Sequence, residues 1–286
     1  MTAQLLDGRA VARTLRGELE AQVAAFKDSH GWAPGIAVVQ AGADAASAWY
    51  VRAIERSSAQ AGLRFALHSL DATVTADDLQ ALLRQLNGDP RTNGIIVQMP
   101  LPAHLSDRVV TDVLDPAKDV DGIHPLNAGR LLHGDSDALV PATPAGGMEL
   151  LRRYDIALRG KQAVMVGRSN IVGRPMALLM LHQHATVTIC HSRTRDLGAM
   201  TRQAEILVAA VGQPKIITAD MVQPGAAVID FGVNDVDGQM VGDVDTAAVA
   251  VVAGYITPVP GGTGPMTNML LIQNTLSAAR RQAERA

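Results

Sequence analysis

Cysteine occurs once in the 286 residues, at Cys190, so the chain has no internal disulfide and suits a reducing compartment. The apolar, β-branched neighbours of that thiol in ATVTIC place it at a buried strand end rather than in a nucleophilic site. Long hydrophobic runs are missing as well: none approaches the roughly 20 residues of a membrane-crossing helix. The N-terminal stretch MTAQLLDGRAVA lacks the charged start and apolar core of an export signal, and the expected location is cytoplasmic. Charge of one sign is not in excess. A net charge of −3 and a pI near 6.2 leave no electrostatic footprint for nucleic acid or an anionic membrane, and neither is expected as a partner. Internal repeats, low-complexity tracts and charge runs are absent too. Lysine is scarce, with four in the chain, at 27, 118, 161 and 215.

What is there is the composition of an ordinary soluble globular protein, 48% hydrophobic and 19% charged, at a length that suits two domains. The run Ile256–Thr267, ITPVPGGTGPMT, packs three prolines and three glycines into twelve residues. Such a run is expected to form neither helix nor interior strand but a shaped loop. It follows the apolar run Ala247–Tyr255 and precedes a helical pattern, Met266–Ala279, so its backbone can face a ligand; a rigid connection is the alternative.

Apolar spacing predicts helices over Ala10–Lys27, Ala48–Ala61 and Thr75–Leu86, the last supported by Thr75, Asp77 and Asp78 at its start. Strand candidates Gly35–Val39 and Arg64–Leu70 lie between them, the first leading into a polar loop, Gln40–Ser47. Gly94–Val97 follows as a short buried strand ending in Gln98. Open α/β sheets place ligand-binding groups at the carboxyl ends of strands, so Gln98 and the prolines of QMPLP, Pro100 among them, are candidates for a cleft wall. Tyr50 and position 54 lie one helical turn apart on one face. A second alternation begins with a helix over Thr143–Tyr154, with Thr143 as N-cap and Pro144 at its first position. It continues through strand Gln162–Val166, the turn GRSNIVGRP, helix Met176–Gln183 and strand Thr186–Cys190. Strands Ile206–Ala210 and Ala226–Asp230 come next, each followed by a turn glycine, Gly212 and Gly232. The implied fold class is α/β, with a mostly parallel sheet and helices on both faces.

In VMVGRSNIVGRP, Gly167 and Gly173 flank a strand-to-helix turn where bare amides and a helix start can meet a phosphate. The spacing is not G-x-G-x-x-G, and a purely structural turn accounts for it equally well. The next strand ends in HSRT, where a dinucleotide site preferring NAD usually presents an acidic residue. Here Ser192 and Arg193, with Arg168, can hold a ribose 2′-phosphate, which favours NADP; surface arginines beside a loop are the alternative. Asp119-Val120-Asp121-Gly122, after Lys118, puts two carboxylates on one side if the segment is extended. No metal is expected, because no histidine and cysteine set has ligand spacing, and His182 and His184 lie in a helix-to-strand connection. His124 reads as a local hydrogen-bonding group rather than a catalytic base.

Taken in order, GIIVQMPLP, KDVDGIHPLN, PATPAGGMELL, GRSNIVGRP, CHSRT and ITPVPGGTGPMT resemble the methylenetetrahydrofolate dehydrogenase/cyclohydrolase family, and the resemblance spans the whole chain. It implies a folate-binding catalytic domain over residues 1–140 completed by the C-terminal helix at 270–286, and a Rossmann-like NADP-binding domain over 141–269. It also implies a cleft between the two, a folate as small-molecule substrate, NADP as cofactor, and a homodimer formed mainly through the cofactor domain. Carried over residue by residue, the resemblance assigns Tyr50 to stacking near the folate ring. Gln98 and Asp121 fall in the catalytic cleft, with Asp121 anchoring the pterin, and Val97, Pro100, Pro260, Gly261 and Gly262 border the substrate. Cofactor positions are Gly167, Arg168, Ser169, Ile171, Val172, Gly173, Ser192, Arg193, Gly212 and Thr257.

The chain departs from the family pattern in the second helix, where Y-V-x-x-K is replaced by Tyr50-Val51-Arg52-Ala53-Ile54. Smaller departures are Ala45 where proline is usual, Ala142 where cysteine is frequent and Thr263 where valine is found. Hydride transfer from a methylene carbon needs alignment but no side-chain base, whereas hydrolysis of the resulting methenyl group needs protons moved, work that isoleucine cannot do. The expectation is a dehydrogenase whose cyclohydrolase activity is weak or absent. Arg56 stays protonated and is a poor shuttle, which leaves Lys118 as the one candidate substitute. A fully bifunctional enzyme using Lys118 or a water chain, and a non-catalytic folate or NADP sensor, are the alternatives.

Overall fold

A computed structural model of the chain describes residues 2–42 and 45–285, apart from the side chains of 45–47. From the N-terminus its elements are β1 (Gln4–Leu5), α1 (Gly8–His30), β2 (Gly35–Ala41), α2 (Ala45–Ala61), β3 (Arg64–Leu70), α3 (Ala76–Gly88) and β4 (Gly94–Val97). Then come α4 (Arg108–Thr111), α5 (Pro125–His133), α6 (Ala142–Arg153), β5 (Gln162–Val166), α7 (Gly173–His182), β6 (Thr186–Cys190) and α8 (Leu197–Thr201). The chain ends with β7 (Ile206–Ala209), β8 (Ala227–Asp230), the hairpin β9 (Asn234–Val236) and β10 (Gln239–Val241), α9 (Thr246–Val249), β11 (Tyr255–Ile256) and α10 (Gly264–Ala283).

These elements form two compact units, Thr14–Ala142 with Asn268–Ala286, and Met1–Arg13 with Thr143–Thr267. The sequence places residues 1–140 together, but the first thirteen lie with the second unit. The reason is β1, which pairs in parallel with β11 at the edge of that unit's sheet.

The first unit is built on a three-stranded parallel sheet in the order β3-β2-β4. β2, flanked on both sides, is buried from Gly35 to Gln40, as a central parallel strand must be. Its last two residues lie in the stretch read as a polar loop, and α2 begins already at Ala45; Ala43 and Asp44 fall outside the described residues. α3 buries the stripe Leu79, Leu83 and Leu86 at helical spacing. Its N-cap is Thr75, whose hydroxyl oxygen accepts from the Asp78 amide at 3.1 Å, and two aspartates in the first turn suit the positive helix end.

The second unit is a six-stranded sheet, all parallel, in the order β1-β11-β8-β7-β5-β6. β5 is the pivot: β6 is laid down on one side of it and the later strands on the other. Ligands of such sheets bind beyond the carboxyl ends of the strands at this switch point, here β5 and β7. α7 starts at Gly173, ahead of the expected Met176, because Ser169 Oγ accepts the amides of Val172 and Gly173, each at 3.2 Å. α6 starts at Ala142, so Thr143 is inside the helix and not its cap; its hydroxyl lies 3.3 Å from that of Thr267. The proline-glycine run is also more ordered at its ends than its composition suggests. Ile256 belongs to an interior strand paired with both β1 and β8, and α10 begins at Gly264, where Pro265 loses nothing by lacking an amide hydrogen. The irregular loop is Thr257–Thr263. Cys190 is buried at the end of β6, as its neighbours imply. Among the described residues no helix is long and apolar enough to cross a membrane.

Candidate functional site

In the three-stranded unit, β3 and β4 flank β2 on opposite sides, so its switch point lies at the carboxyl ends of β2 and β4. Gln98 follows β4 there and donates its backbone amide to the Val39 carbonyl at 2.8 Å. Its side-chain Nε2 donates to the Met99 carbonyl at 3.2 Å, while Oε1 is enclosed and unpaired among the described residues. Nε2 of Gln40, at the end of β2, is likewise enclosed and unpaired. Two side-chain amides with unmet hydrogen-bonding capacity at the carboxyl end of one sheet mark a place prepared for a polar ligand or ordered water.

The segment Lys118–Asp121 runs beside β4. Ile95 donates its amide to the Lys118 carbonyl at 2.6 Å and bridges Asp119 in parallel. The two aspartates then divide their roles. Asp119 is fully buried and accepts from the amides of Ile123 (3.1 Å) and His124 (2.9 Å) and from Asn127 Nδ2 (2.8 Å). It holds the turn that leads into α5, where His124 Nδ1 accepts from the Leu126 amide at 3.0 Å as the helix cap. Gly122 completes the turn at φ 68°, and a Cβ there would stand 2.5 Å from the Pro141 nitrogen.

Asp121 accepts no hydrogen bond from the described residues. Burial, with the Asp119 charge in second place, pushes its carboxyl from 3.8 up to about 7. The same carboxylate acts on Tyr50 of α2: burial first and the Asp121 charge second hold the phenol proton on far above its usual range. Tyr50 is therefore a neutral hydroxyl facing a carboxyl poised to titrate near neutrality. One turn further along α2, Ile54 is 2% exposed, and one turn beyond it the hydroxyl of the fully buried Ser58 is unpaired among the described residues.

Two expectations for this unit change. Lys118 Nζ donates to the carbonyls of Leu86 (3.2 Å) and Asp89 (2.8 Å), at the end of α3, so it is tied down and cannot stand in for a lysine on α2. Val97 is 1% exposed and packs in the core with Ala37, Leu79 and Leu83, so its side chain cannot border a substrate. Pro100 is exposed.

In the six-stranded unit, Gly167 ends β5 at φ 123°, and a Cβ on it would stand 2.2 Å from the Ala210 carbonyl oxygen after β7. A Cβ on Gly173 would stand 2.5 Å from the Gly167 carbonyl oxygen, so only two glycines let the turn fold this tightly. The amides of Arg168, Ser169, Asn170 and Ile171 find no acceptor among the described residues, and they cluster at the N-terminus of α7. Arg168, Ser169 and Ile171 are exposed and Val172 half-buried. Beyond β6, Ser192 and Arg193 are exposed, with the Arg193 amide donating to His191 Nδ1 at 3.1 Å. Free amides at a helix start, two guanidinium groups and hydroxyls, with no acid in His191–Thr194, fit a dinucleotide bearing an additional phosphate.

Thr257, expected to face the cofactor, is fully buried, and its Oγ1 accepts from the Asp230 amide at 2.8 Å; its role is internal. Gly212 is exposed at φ 66°. In the loop, Pro260 is exposed, Gly261 takes φ 114°, and Gly262 is buried with its carbonyl oxygen 1.7 Å from where a Gly8 Cβ would be. Asp230 and Asp243, both fully buried, stand out in the sequence only by lying beside glycine-bearing turns.

A sequence model described as the catalytic domain of tetrahydrofolate dehydrogenase/cyclohydrolase matches residues 6–121, and one described as its NAD(P)-binding domain matches residues 141–283. The chain belongs to the tetrahydrofolate dehydrogenase/cyclohydrolase family. Its relatives include the bifunctional protein FolD of Herpetosiphon aurantiacus, 55% identical over the full length of both chains. Among solved structures, the bifunctional FolD methylenetetrahydrofolate dehydrogenase/cyclohydrolase of Campylobacter jejuni is 41% identical with a TM-score of 0.95, covering 98% of this chain and 99% of that one. The Trypanosoma brucei FolD, complexed with NADP cofactor and inhibitor, is 37% identical over the whole of both chains, also with a TM-score of 0.95. Within the tetrahydrofolate dehydrogenase/cyclohydrolase fold, Tyr50, Gln98 and Asp121 lie in the catalytic domain, and the six-stranded unit is the NAD(P)-binding domain.

Proposed function

We propose that this protein oxidises methylene-tetrahydrofolate to methenyl-tetrahydrofolate with NADP, and that its hydrolysis of the methenyl product to formyl-tetrahydrofolate is weak or absent. Bound NADP supplies the hydride acceptor. The free amides of Arg168–Ile171 hold its pyrophosphate, and Ser192, Arg193 and Arg168 hold the 2′-phosphate. Asp121 anchors the pterin through its ring donors, the neutral Tyr50 stacks near it, and Gln98 offers an unpaired amide oxygen to the same ligand. None of these groups has to take a proton from carbon, so positioning alone supports hydride transfer.

The observation that carries the limit on hydrolysis is Ile54, buried to 2% exposure one turn from Tyr50, with Lys118 anchored elsewhere. Loss of a general acid/base costs on the order of 10²–10⁴ in rate. A second reading keeps both activities, with Asp121 itself carrying the proton. Its carboxyl near 7 favours that, as does the name of the relatives, bifunctional. Following NADPH and methenyl absorbance together during turnover decides between them. Accumulation of the methenyl species to nearly the amount of NADPH formed supports the first reading; enzyme-dependent removal of supplied methenyl-tetrahydrofolate overturns it.

The assembly we propose is a homodimer through the cofactor unit. Supporting it are exposed Ile189 on the edge strand β6 and Val233, Val236 and Met240 at the β9–β10 hairpin, apolar surface suited to a second copy. Size-exclusion chromatography with light scattering tests it: a monomer mass at micromolar concentration contradicts the dimer.

A further inference from the structure

Three consecutive backbone amides after β7 converge on one carboxylate. Asp243 Oδ2 accepts from Val211 at 2.6 Å and Gly212 at 3.0 Å, and Oδ1 accepts from Gln213 at 2.9 Å and from Asn234 Nδ2 at 3.0 Å. Successive amides curved round an anion are the arrangement with which loops bind phosphate. Here the chain's own fully buried carboxylate fills it. The two turns at the switch point are thus differentiated: the amides of Arg168–Ile171 remain free for an external anion, while those of Val211–Gln213 are consumed. The latter turn offers bare backbone instead. Gly212 is exposed, and among the described residues no atom beyond its own chain neighbours lies within 4 Å of where its Cβ would stand.

Asp230 backs this arrangement. Its Oδ1 accepts from the amides of Gly232 (2.7 Å) and Asp243 (3.1 Å), and its Oδ2 from Val244 (2.9 Å). Its own amide donates to Thr257 Oγ1 at 2.8 Å, and its carbonyl accepts from Thr263 Oγ1 at 3.0 Å. Both ends of the Thr257–Thr263 loop are therefore fixed to the end of β8, and β8 to the turn after β7, through two buried carboxylates. Glycine is required on both sides: a Cβ on Gly242 would stand 1.8 Å from Asp230 Oδ2, and one on Gly232 would stand 2.4 Å from Asp243 Oδ1.

We infer that Asp243, supported by Asp230, is a positioning residue for the dinucleotide: it shapes Val211–Gln213 into a donor-free floor against which a planar ring of the cofactor lies, and it ties that floor to the Thr257–Thr263 loop. The inference rests on the NADP reading. Isothermal titration of NADP into the full-length protein tests it, with the ligand-free thermal midpoint measured alongside. Asp243→Asn turns one acceptor into a donor that faces backbone amides, and the NADP dissociation constant rises at least tenfold. Asn234→Ala removes the side-chain donor to Oδ1 together with its longer bond to the Val241 carbonyl at 3.4 Å, and the constant rises severalfold with the fold retained. A purely structural role would lower the thermal midpoint of these variants and leave the dissociation constant of the folded protein within twofold of wild type, which overturns the inference. If Asp243→Asn does not fold, Asn234→Ala decides by the same criterion. Wild-type protein that binds no NADP overturns the functional reading and this inference together, whereas wild-type binding with unaltered variants overturns the inference alone.

Discussion

Lys118 reaches the Asp89 carbonyl with its Nζ over 2.8 Å and thereby closes the C-terminal end of α3 onto the segment that carries Asp119 and Asp121. Burial pulls its ammonium below the ordinary lysine range, opposed by Asp115 and Asp89. This is a lysine used as a tether. Replacing Lys118 by Met takes one donor from each carbonyl, Leu86 keeping the Asp89 amide and Asp89 the Thr92 amide, and the two lost hydrogen bonds cost about 1–3 kcal/mol together, read as a lower urea midpoint. Methenyl hydrolysis per folded molecule stays where it is. A selective loss of hydrolysis in a fully folded Lys118→Met protein would show that the tether is also a proton carrier.

The pH dependence of stability follows from Asp121. Its carboxyl is raised from 3.8 to about 7 in the folded protein, so between those values the folded state holds a proton that the unfolded state has released. Folding stability from this group therefore falls as pH rises from about 4 to about 7 and is level above that window. Asp121→Asn removes the titration. The urea midpoint of the variant, compared with wild type, gains progressively across that window and holds a constant advantage at higher pH. A difference independent of pH between 4 and 8 would contradict the assigned titration.

The sequence reveals elements where one local cause acts alone. Thr75 with Asp77 and Asp78 specifies the start of α3, and the unbroken apolar run Ala163–Val166 specifies a central parallel strand. It is less informative where a distant partner decides. Thr143 has the chemistry of a cap but lies inside α6, beside Thr267. Gln4–Leu5 is too short to announce a strand and becomes one only by pairing with Tyr255–Ile256. The same division holds in the site. The place of Gln98 at a strand's carboxyl end is legible, as is that of Arg193 in an exposed turn after β6; the roles given to them toward folate and NADP belong to the proposal. The separation of Asp119 as turn anchor from Asp121 as titrating group depends on which carboxylate the amides of Ile123 and His124 choose, and two aspartates in K-D-V-D cannot disclose that. Thr257 and Val97 sit in the right segments, but their side chains face inward.

The close approach of Gly173 to Gly167 gives a separate handle on the cofactor unit. A methyl group at Gly173 meets the Gly167 carbonyl oxygen at 2.5 Å and the Arg168 nitrogen at 2.7 Å, backbone atoms that cannot rotate away. Gly173→Ala pushes the turn off the start of α7, at a cost of about 1–3 kcal/mol by overpacking, and misaligns the amides of Arg168–Ile171. The expected result is a KM for NADP raised at least tenfold with a much smaller change in the KM for the folate. An equal rise in both would place the damage in the fold at large rather than in the phosphate-binding turn.

Restoring an amine at position 54 tests the chemistry most directly. Ile54 is 2% exposed, and a fully buried lysine has its pKa lowered by up to about 3–5 units, each unit being about 1.4 kcal/mol of unfavourable burial. Full burial would cost about 4–7 kcal/mol on that scale; Ile54→Lys is less stable by about 2–4 kcal/mol, because its flexible chain can carry the amine along the Tyr50 face toward the Asp121 carboxyl. A lysine with a lowered pKa next to a carboxyl near 7 is a competent proton carrier at neutral pH. Hydrolysis of methenyl-tetrahydrofolate rises by about ten- to a hundredfold over wild type, while NADPH formation changes little. Ile54→Met has a chain of similar length and no amine, and it shows no such gain. If the lysine variant folds and its hydrolysis matches that of the methionine variant, isoleucine at this position is not what limits the second step, and Asp121 becomes the proton carrier to examine.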